Sequence, residues 1–321
     1  MKKLIASLIV FSLALLMTMP TRAQQDARYS QYMFNALPLN PGYAGTGEST
    51  NISAFYRKQW AGMDCSPQGA TFNIHSALGK SANNGLGASL SYDEIGVHKD
   101  YTLYGMYAYR IAVGKGRLSI GVSGGMDYIT ANWNDIQTSD PNEPPTTPDP
   151  VFQQVTDGIL PNFGIGLYLN MNSFYVGLSA PQLLDNQLRD DLPNIALAAK
   201  QFRHYYATVG GVIPVGESLK VVPSALVKMV PGNAPVQVDA NLSVVLKDAL
   251  WLGSSFRFEQ SFQPESVDFI VAYTFNNKLR VSYSYDLTLT DLSAYTSGSH
   301  EVGISWDFGV SVDRYKTPRF F

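Results

Sequence analysis

The side chains that could do chemistry in this sequence are few and scattered. The four histidines are His75, His98, His204 and His300, and none stands at metal-ligand spacing from another. The single cysteine, Cys65, cannot form an internal disulfide and reads as a small packing or loop residue. Asp93 and Glu94 are adjacent acids at the end of a strand-like stretch. Neighbours on a strand point to opposite faces, so they read as a solvated turn rather than an acid–base pair. There is no Gly-x-Ser-x-Gly elbow, no phosphate loop and no His-Glu-x-x-His pair. Gly85, Gly87, Gly121, Gly124 and Gly125 fall inside strand-like runs, where glycine relieves crowding in a curved sheet rather than cradling a phosphate. The expectation is a protein with no catalytic residues, no cofactor and no metal. What remains are contact residues: Tyr32, Phe34, Asn35, Asn40 and Tyr43 in an aromatic, polar stretch near the amino terminus, then Arg57, Gln59 and Trp60.

The elements that must position them begin with a leader. Lys2 and Lys3 precede an apolar run from Leu4 to Met17, and Thr21-Arg22-Ala23 places small residues three and one before a cut after Ala23. This is the layout of a secretory signal peptide, and the run falls short of the ~20 residues of a spanning helix. No cysteine follows the cut, so a lipoprotein is not indicated. About 300 residues remain, room for one large domain or two ordinary ones. The pI of about 5.8 leaves no footprint for nucleic acid. With 19 Tyr, 16 Phe and 27 Gly but only 15% charged residues, and no later apolar run of ~18 residues, the composition favours sheet and excludes a helical membrane protein.

From about residue 50 the period is two. Leu279, Val281, Tyr283, Tyr285 and Leu287 alternate with polar neighbours, as do Val302, Ile304, Trp306 and Phe308, and Leu118, Ile120, Val122, Met126 and Tyr128. Strict alternation puts the apolar set on one face. Strands are expected at 50–60, 67–78, 84–93, 99–112, 116–131, 158–169, 172–180, 203–213, 218–230, 234–246, 249–259, 266–275, 277–287 and 299–309. The number is even and most strands approach the ~9–11 residues that cross a bilayer at a tilt. Long connections at 131–157, 181–202, 260–265 and 288–298 alternate with tight turns at Gly114-Lys115, Asn170-Met171-Asn172, Gly216-Glu217, Lys247-Asp248 and Asn276-Asn277. The short Pro231-Gly232-Asn233 connection fits this alternation less well. Short turns face the periplasm in outer-membrane barrels and long loops face outward, which places both termini in the periplasm. Aromatics at strand ends (Tyr56, Tyr101, Tyr109, Phe256, Trp306) suit interfacial girdles, and mid-strand Arg57, Arg110, Lys228, Asp239, Arg257 and Asp286 suit a lumen. Both features also fit a soluble β-sandwich; strand length, strand number and loop alternation favour an all-β, transmembrane antiparallel barrel of about 14 strands. The proline-rich stretch 138–150 is expected to be extended, and the leucine-rich loop 181–200 to pack on itself or over the barrel mouth.

The chain therefore divides into a signal peptide (1–23), an amino-terminal segment (24–48), the barrel (49–310) and a tail (311–321). Residues 24–48 are too polar and too rich in Pro and Gly to span, yet Tyr29, Tyr32, Met33, Phe34 and Tyr43 are too apolar for a free tail. The segment is expected to plug the lumen or to dock along the periplasmic face. Arg57, Gln59 and Trp60 form a candidate cluster, with Trp60 as a girdle residue and Arg57 as a lumen charge the plainer reading.

Ser30-Gln31-Tyr32-Met33-Phe34-Asn35, then Asn40-Pro41-Gly42-Tyr43-Ala44-Gly45, then Arg57 with Gln59, Trp60 and Gly62, then Pro67, resembles the PorP/SprF family of Bacteroidetes outer-membrane proteins linked to type IX secretion. Tyr107-Ala-Tyr-Arg-Ile111 and Pro318-Arg-Phe-Phe321 are similar as well; Gly42 departs from the alanine the family favours. The resemblance implies an integral outer-membrane barrel that serves type IX secretion or gliding motility. It implies partners too: outer-membrane lipid, a large secreted surface adhesin or other type IX components, and a periplasmic, peptidoglycan-linked protein that the tail could dock. The competing expectation is a passive channel or a transporter of hydrophobic solutes.

Overall fold

The computed structural model describes residues 28–47, 49–79, 81–132, 155–187, 200–231, 234–259 and 263–308. The leader 1–23, the proline-rich stretch 138–150, most of the leucine-rich loop and the tail 311–321 lie outside the described residues.

The strands are β1 (Thr50–Lys58), β2 (Gln68–Leu78), β3 (Asn84–Ile95), β4 (His98–Val113), β5 (Gly116–Asn132), β6 (Val155–Asn170) and β7 (Phe174–Gln182). There follow the two-residue β8 (Asn186–Gln187) and β9 (Lys200–Gln201), then β10 (His204–Gly211) and the short β11 (Ile213–Pro214). The last group is β12 (Leu219–Val230), β13 (Ala234–Leu246), β14 (Leu250–Glu259), β15 (Gln263–Phe275), β16 (Leu279–Thr288) and β17 (Ser299–Phe308). Each long strand pairs antiparallel with its chain neighbours. Pairing of β1 with β17 and of β10 with β12 leaves no open edge, so fourteen strands close into a barrel. β11 only extends along β12, and β8 and β9 form a separate ribbon.

The alternation in sequence becomes inside and outside. On β4, Tyr101, Leu103, Tyr107, Tyr109 and Ile111 are exposed, whereas Tyr104, Met106, Ala108 and Arg110 are buried. On β16, Val281, Tyr283 and Leu287 look out and Ser282, Ser284 and Asp286 look in. A soluble sandwich buries its apolar face. Here that face is the exposed one and the charges are interior, an arrangement stable only where hydrocarbon bathes the outside. This decides between the two readings that the aromatics and charges left open.

The barrel has two unlike ends. One carries tight turns: Lys247 and Asp248 (φ 51° and 56°), and Asn276 and Asn277 (φ 49° and 55°), take the left-handed conformations of type I′ hairpins. The other carries the connections 59–67, 183–203 and 289–298, together with the two-residue turn Gly96-Val97. β1 begins and β17 ends at the short-turn end, where Thr50 pairs with Phe308.

Several boundaries differ from the sequence reading by two or three residues, and two of them have a clear local cause. The connection expected at 260–265 is shorter, because β15 already starts at Gln263; a register shift between Arg257 and Phe258 lets Pro264, which lacks an N–H, sit opposite Phe258. The first strand ends at Lys58 rather than residue 60. Trp60 turns into the left-handed region (φ 49°) and Gln59 N donates to Pro67 O at 2.8 Å to close the loop.

Val122 tests the lipid face, since it is exposed near the middle of β5. Val122→Arg is expected to cost about 2–4 kcal/mol, read as the urea midpoint of the protein folded in detergent or lipid. An unchanged midpoint would mean that this side does not face lipid.

Candidate functional site

The inside of the barrel is occupied by residues 28–47. This segment is a string of turns that satisfies part of its own backbone: Phe34 N and Asn35 N donate to Gln31 O, and Asn40 N to Ala36 O. A short 3₁₀ turn, Pro41–Tyr43, is capped by Asn40, whose Oδ1 accepts from Gly42 N at 2.8 Å. Proline opens that turn without loss, because its missing N–H would have had no partner there. Several of the remaining polar groups go to the wall. Asn40 Nδ2 donates to Leu167 O at 3.0 Å, Ser179 Oγ donates to Leu39 O at 2.6 Å, and Gly45 N donates to His75 Nδ1 at 3.2 Å. Arg110 donates to Gly45 O and to Thr46 O.

One wall of the lumen grips the segment with charge. Glu301 on β17 is 0% exposed. Its carboxylate accepts from Ser30 N at 2.8 Å and from Gln31 N at 3.3 Å, and pairs with Arg57 at 3.4 Å. Arg57 also donates to Ser30 Oγ and pairs with Asp286 at 2.9 Å. Asp286 meets Arg257 at 3.1 Å, and Arg257 holds Asp239 at 2.7 Å and Asp268 at 3.7 Å. Nearer the mouth, Arg28 pairs with Glu265 and with Glu259. Ions this deeply buried are tolerated only when paired and hydrogen-bonded.

The opposite wall grips by close contact. A methyl group on Gly85 would overlap Ala44, one on Gly121 would overlap Pro41 and Gly42, and one on Gly166 would overlap the Asn40 side chain. Glycine lets the segment's backbone lie directly on the sheet. Three apolar clusters fill the rest, and each includes segment residues. Leu37, Ala44 and Tyr43 meet Tyr104, Met106 and Ala108; Phe34 meets Trp251, Val245 and Ala272; Tyr32, Leu39, Tyr29 and Met33 meet Tyr206 and Leu226.

The candidate residues from the sequence fall as follows. Tyr32 is buried, with its hydroxyl 2.9 Å from Ser224 Oγ. Phe34 stands edge-on to Trp251 at 5.3 Å, with the Arg280 guanidinium 4.6 Å over its ring. Asn35 Oδ1 accepts from Asn73 Nδ2 at 2.8 Å. Tyr43 packs edge-on against His75 and Tyr168. The structure thus brings Tyr32, Phe34, Asn35, Asn40, Tyr43 and Arg57 into one interior. Gln59 and Trp60 are apart from Arg57, in the loop beyond β1. There Trp60 N donates to Ser299 Oγ at 3.1 Å, and Ala61 exchanges backbone bonds with Ser297 and Gly298. Sequence reasoning placed Ser30 and Gln31 in the amino-terminal signature but not among the contact residues, and did not single out Asp268 or Glu301. Glu301 could have been found as the acid on the inward face of the last strand.

The described part of the leucine-rich loop also turns inward. Asn162 Oδ1 accepts from Leu183 N and Leu184 N, both at 3.0 Å, and Asn162 Nδ2 donates to Gln201 Oε1 at 2.8 Å. Gln201 in turn donates to Asp127 at 2.6 Å. Among the described residues, no group of His, Cys, Asp or Glu is placed to hold a metal ion.

A closed barrel, apolar outside and occupied inside by its own amino-terminal segment, is an outer-membrane β-barrel. The chain belongs to the PorP/SprF family of type IX secretion system membrane proteins, whose family model matches residues 21–306. No curated protein matches its sequence. Among solved structures, the Ralstonia pickettii toluene transporter TbuX is similar at TM-score 0.51 and 10% identity, over 85% of this chain and 92% of that one. A Pseudomonas aeruginosa FadL homologue aligns at TM-score 0.47 and 10% identity, over 87% of this chain and 94% of that one.

Two pairs of substitutions separate the two grips. Arg57→Ala removes the cation paired with buried Glu301, while Asp286 keeps Arg257, and is expected to cost about 3–5 kcal/mol. Adding Glu301→Gln should cost less than the two single changes together, because both remove one pair; strict additivity in urea titrations would show that the pair is not coupled. Gly121→Ala should release residues 28–47 to limited proteolysis. Gly124→Ala, whose methyl would meet only Phe163 at 3.4 Å, should leave the digestion pattern unchanged. Equal behaviour of the two alanine variants would rule out the close-contact role.

Proposed function

We propose that this barrel is a non-enzymatic anchoring component of type IX secretion, which supports export or surface attachment of a large secreted adhesin. In this reading the signal peptide is removed near Ala23, the short-turn end faces the periplasm and the long loops face outward. The observation that carries the reading is the filled lumen. Residues 28–47 take up the space that a diffusing solute would need, and their polar groups are bonded to the wall. A barrel closed in this way acts through its two ends and its membrane-embedded wall. The periplasmic end, with the tail 311–321, is suited to a peptidoglycan-linked partner, and the outer end to the exported protein. The filled lumen weighs against a passive channel or a hydrophobic-solute transporter.

The test is a detergent pulldown of tagged protein from native outer membranes, with mass spectrometry of what is retained. A large surface adhesin or other type IX components should be enriched, and the mass of the bait should correspond to a chain starting at Gln24. In planar bilayers the same preparation should show little steady conductance. A barrel recovered alone, with a steady open conductance, would replace anchoring by the channel reading.

A further inference from the structure

The lumen segment has a direction. Arg28 pairs with Glu259, the last residue of β14, and with Glu265, near the start of β15. Ser30 and Gln31 bond to Glu301, near the start of β17. All three carboxylates stand at the end that carries the long loops. Farther along, Gly45 and Thr46 accept from Arg110, near the end of β4, and Gly45 lies against Gly85, the second residue of β3. These positions flank the tight connections 79–83 and 114–115, at the other end. The segment therefore enters at the long-loop mouth, descends the lumen, and turns into β1 at Thr50.

We infer that the mature amino terminus is displayed on the outer face of the membrane, beside the long loops, while β17 ends on the periplasmic face. This rests on the orientation and on the cleavage near Ala23 proposed above, and it separates the two termini that the sequence reading had placed together. Chain length enforces it. Residues 24–27 reach at most about 14 Å beyond Arg28. From the Arg57 row to the Thr50 row, β1 spans about 23 Å at ~3.3 Å per residue, and the lumen between is filled. The four residues cannot return to the short-turn end. The carboxylates of Glu259 and Glu265, closing on Arg28, fix the point of exit. The outer face then presents a chain terminus next to the lobe in which the loop 59–67 is strapped to 289–298 by the Ala61, Ser297 and Gly298 backbone bonds. An exported protein emerging beside the barrel would meet that terminus and that lobe together.

A membrane-impermeant maleimide on intact cells tests this. Cys65 is exposed in the loop 59–67 and serves as the marker of the long-loop end; Cys65→Ser removes it. In the Cys65→Ser background, Gln24→Cys should be labelled on intact cells to an extent comparable with native Cys65. Lys278→Cys, in an exposed short turn, should be labelled only after the outer membrane is permeabilised. A hydrophilic epitope inserted between Gln24 and Gln25 gives a second readout, and antibody should bind it on intact cells. If Gln24→Cys and the epitope respond only after permeabilisation while Cys65 is labelled from outside, the inference fails and the orientation stands. If Cys65 is silent from outside and Lys278→Cys is labelled, the orientation fails and surface display fails with it.

Discussion

The arrangement depends on one buried carboxylate. Glu301 sits with no exposure on the last strand, directly across the closing seam from Arg57 on the first. In a dry interior a lone carboxylate is untenable. Its partners are the Arg57 guanidinium and two backbone N–H groups that come from the lumen segment rather than from the wall. From Arg57 the pairing continues through Asp286 and Arg257 to Asp239 and Asp268. It thereby links β1 and β13 to β17 with the segment. The two arginines each bridge more than one carboxylate, Arg57 to Glu301 and Asp286, Arg257 to Asp286, Asp239 and Asp268.

The rest of the wall relies mainly on close contact, with buried Arg110 donating to Gly45 O and Thr46 O. Where the segment turns over Pro41–Tyr43, contact is made by absent side chains: Gly85, Gly121 and Gly166 let backbone lie on backbone. The two halves of the lumen thus hold one short piece of chain by different physics. Charge pairing tolerates small displacements, and glycine contact does not. Gly42 belongs to the second half. A methyl there would stand 3.1 Å from Tyr168 N and 3.2 Å from Gly166 O, so this glycine relieves a tight approach.

Much of the barrel was legible in the sequence because a bilayer imposes a period and a length. Strict alternation on β4, β5, β16 and β17 and turn signals such as Asn276-Asn277 located strands to within a few residues. What alternation cannot say is which face is wet. The apolar set of β4 would look the same in a sandwich, and only closure of β1 on β17 and β10 on β12 turns it outward. The lumen segment was visible as too apolar to be free, through Tyr32, Phe34 and Tyr43. Its anchor was not, because Ser30 and Glu301 are separated by most of the chain and neither residue type is unusual. Trp60 was misplaced onto a strand for a local reason: a left-handed turn by a tryptophan leaves no compositional mark.

The position of Glu301 on the seam bears on how the molecule is made. The first and last strands are the final pair to meet when a sheet rolls up in chain order, and until they meet, Arg57 and Glu301 are far apart. The site that receives Ser30 and Gln31, Glu301 together with Arg57, is complete only once the ring is closed. The same ion pair therefore ties the closing seam to the segment inside it. A barrel that sealed around an empty lumen would leave Glu301 without its two amide donors, so the misassembled form is marked by its own energetic defect.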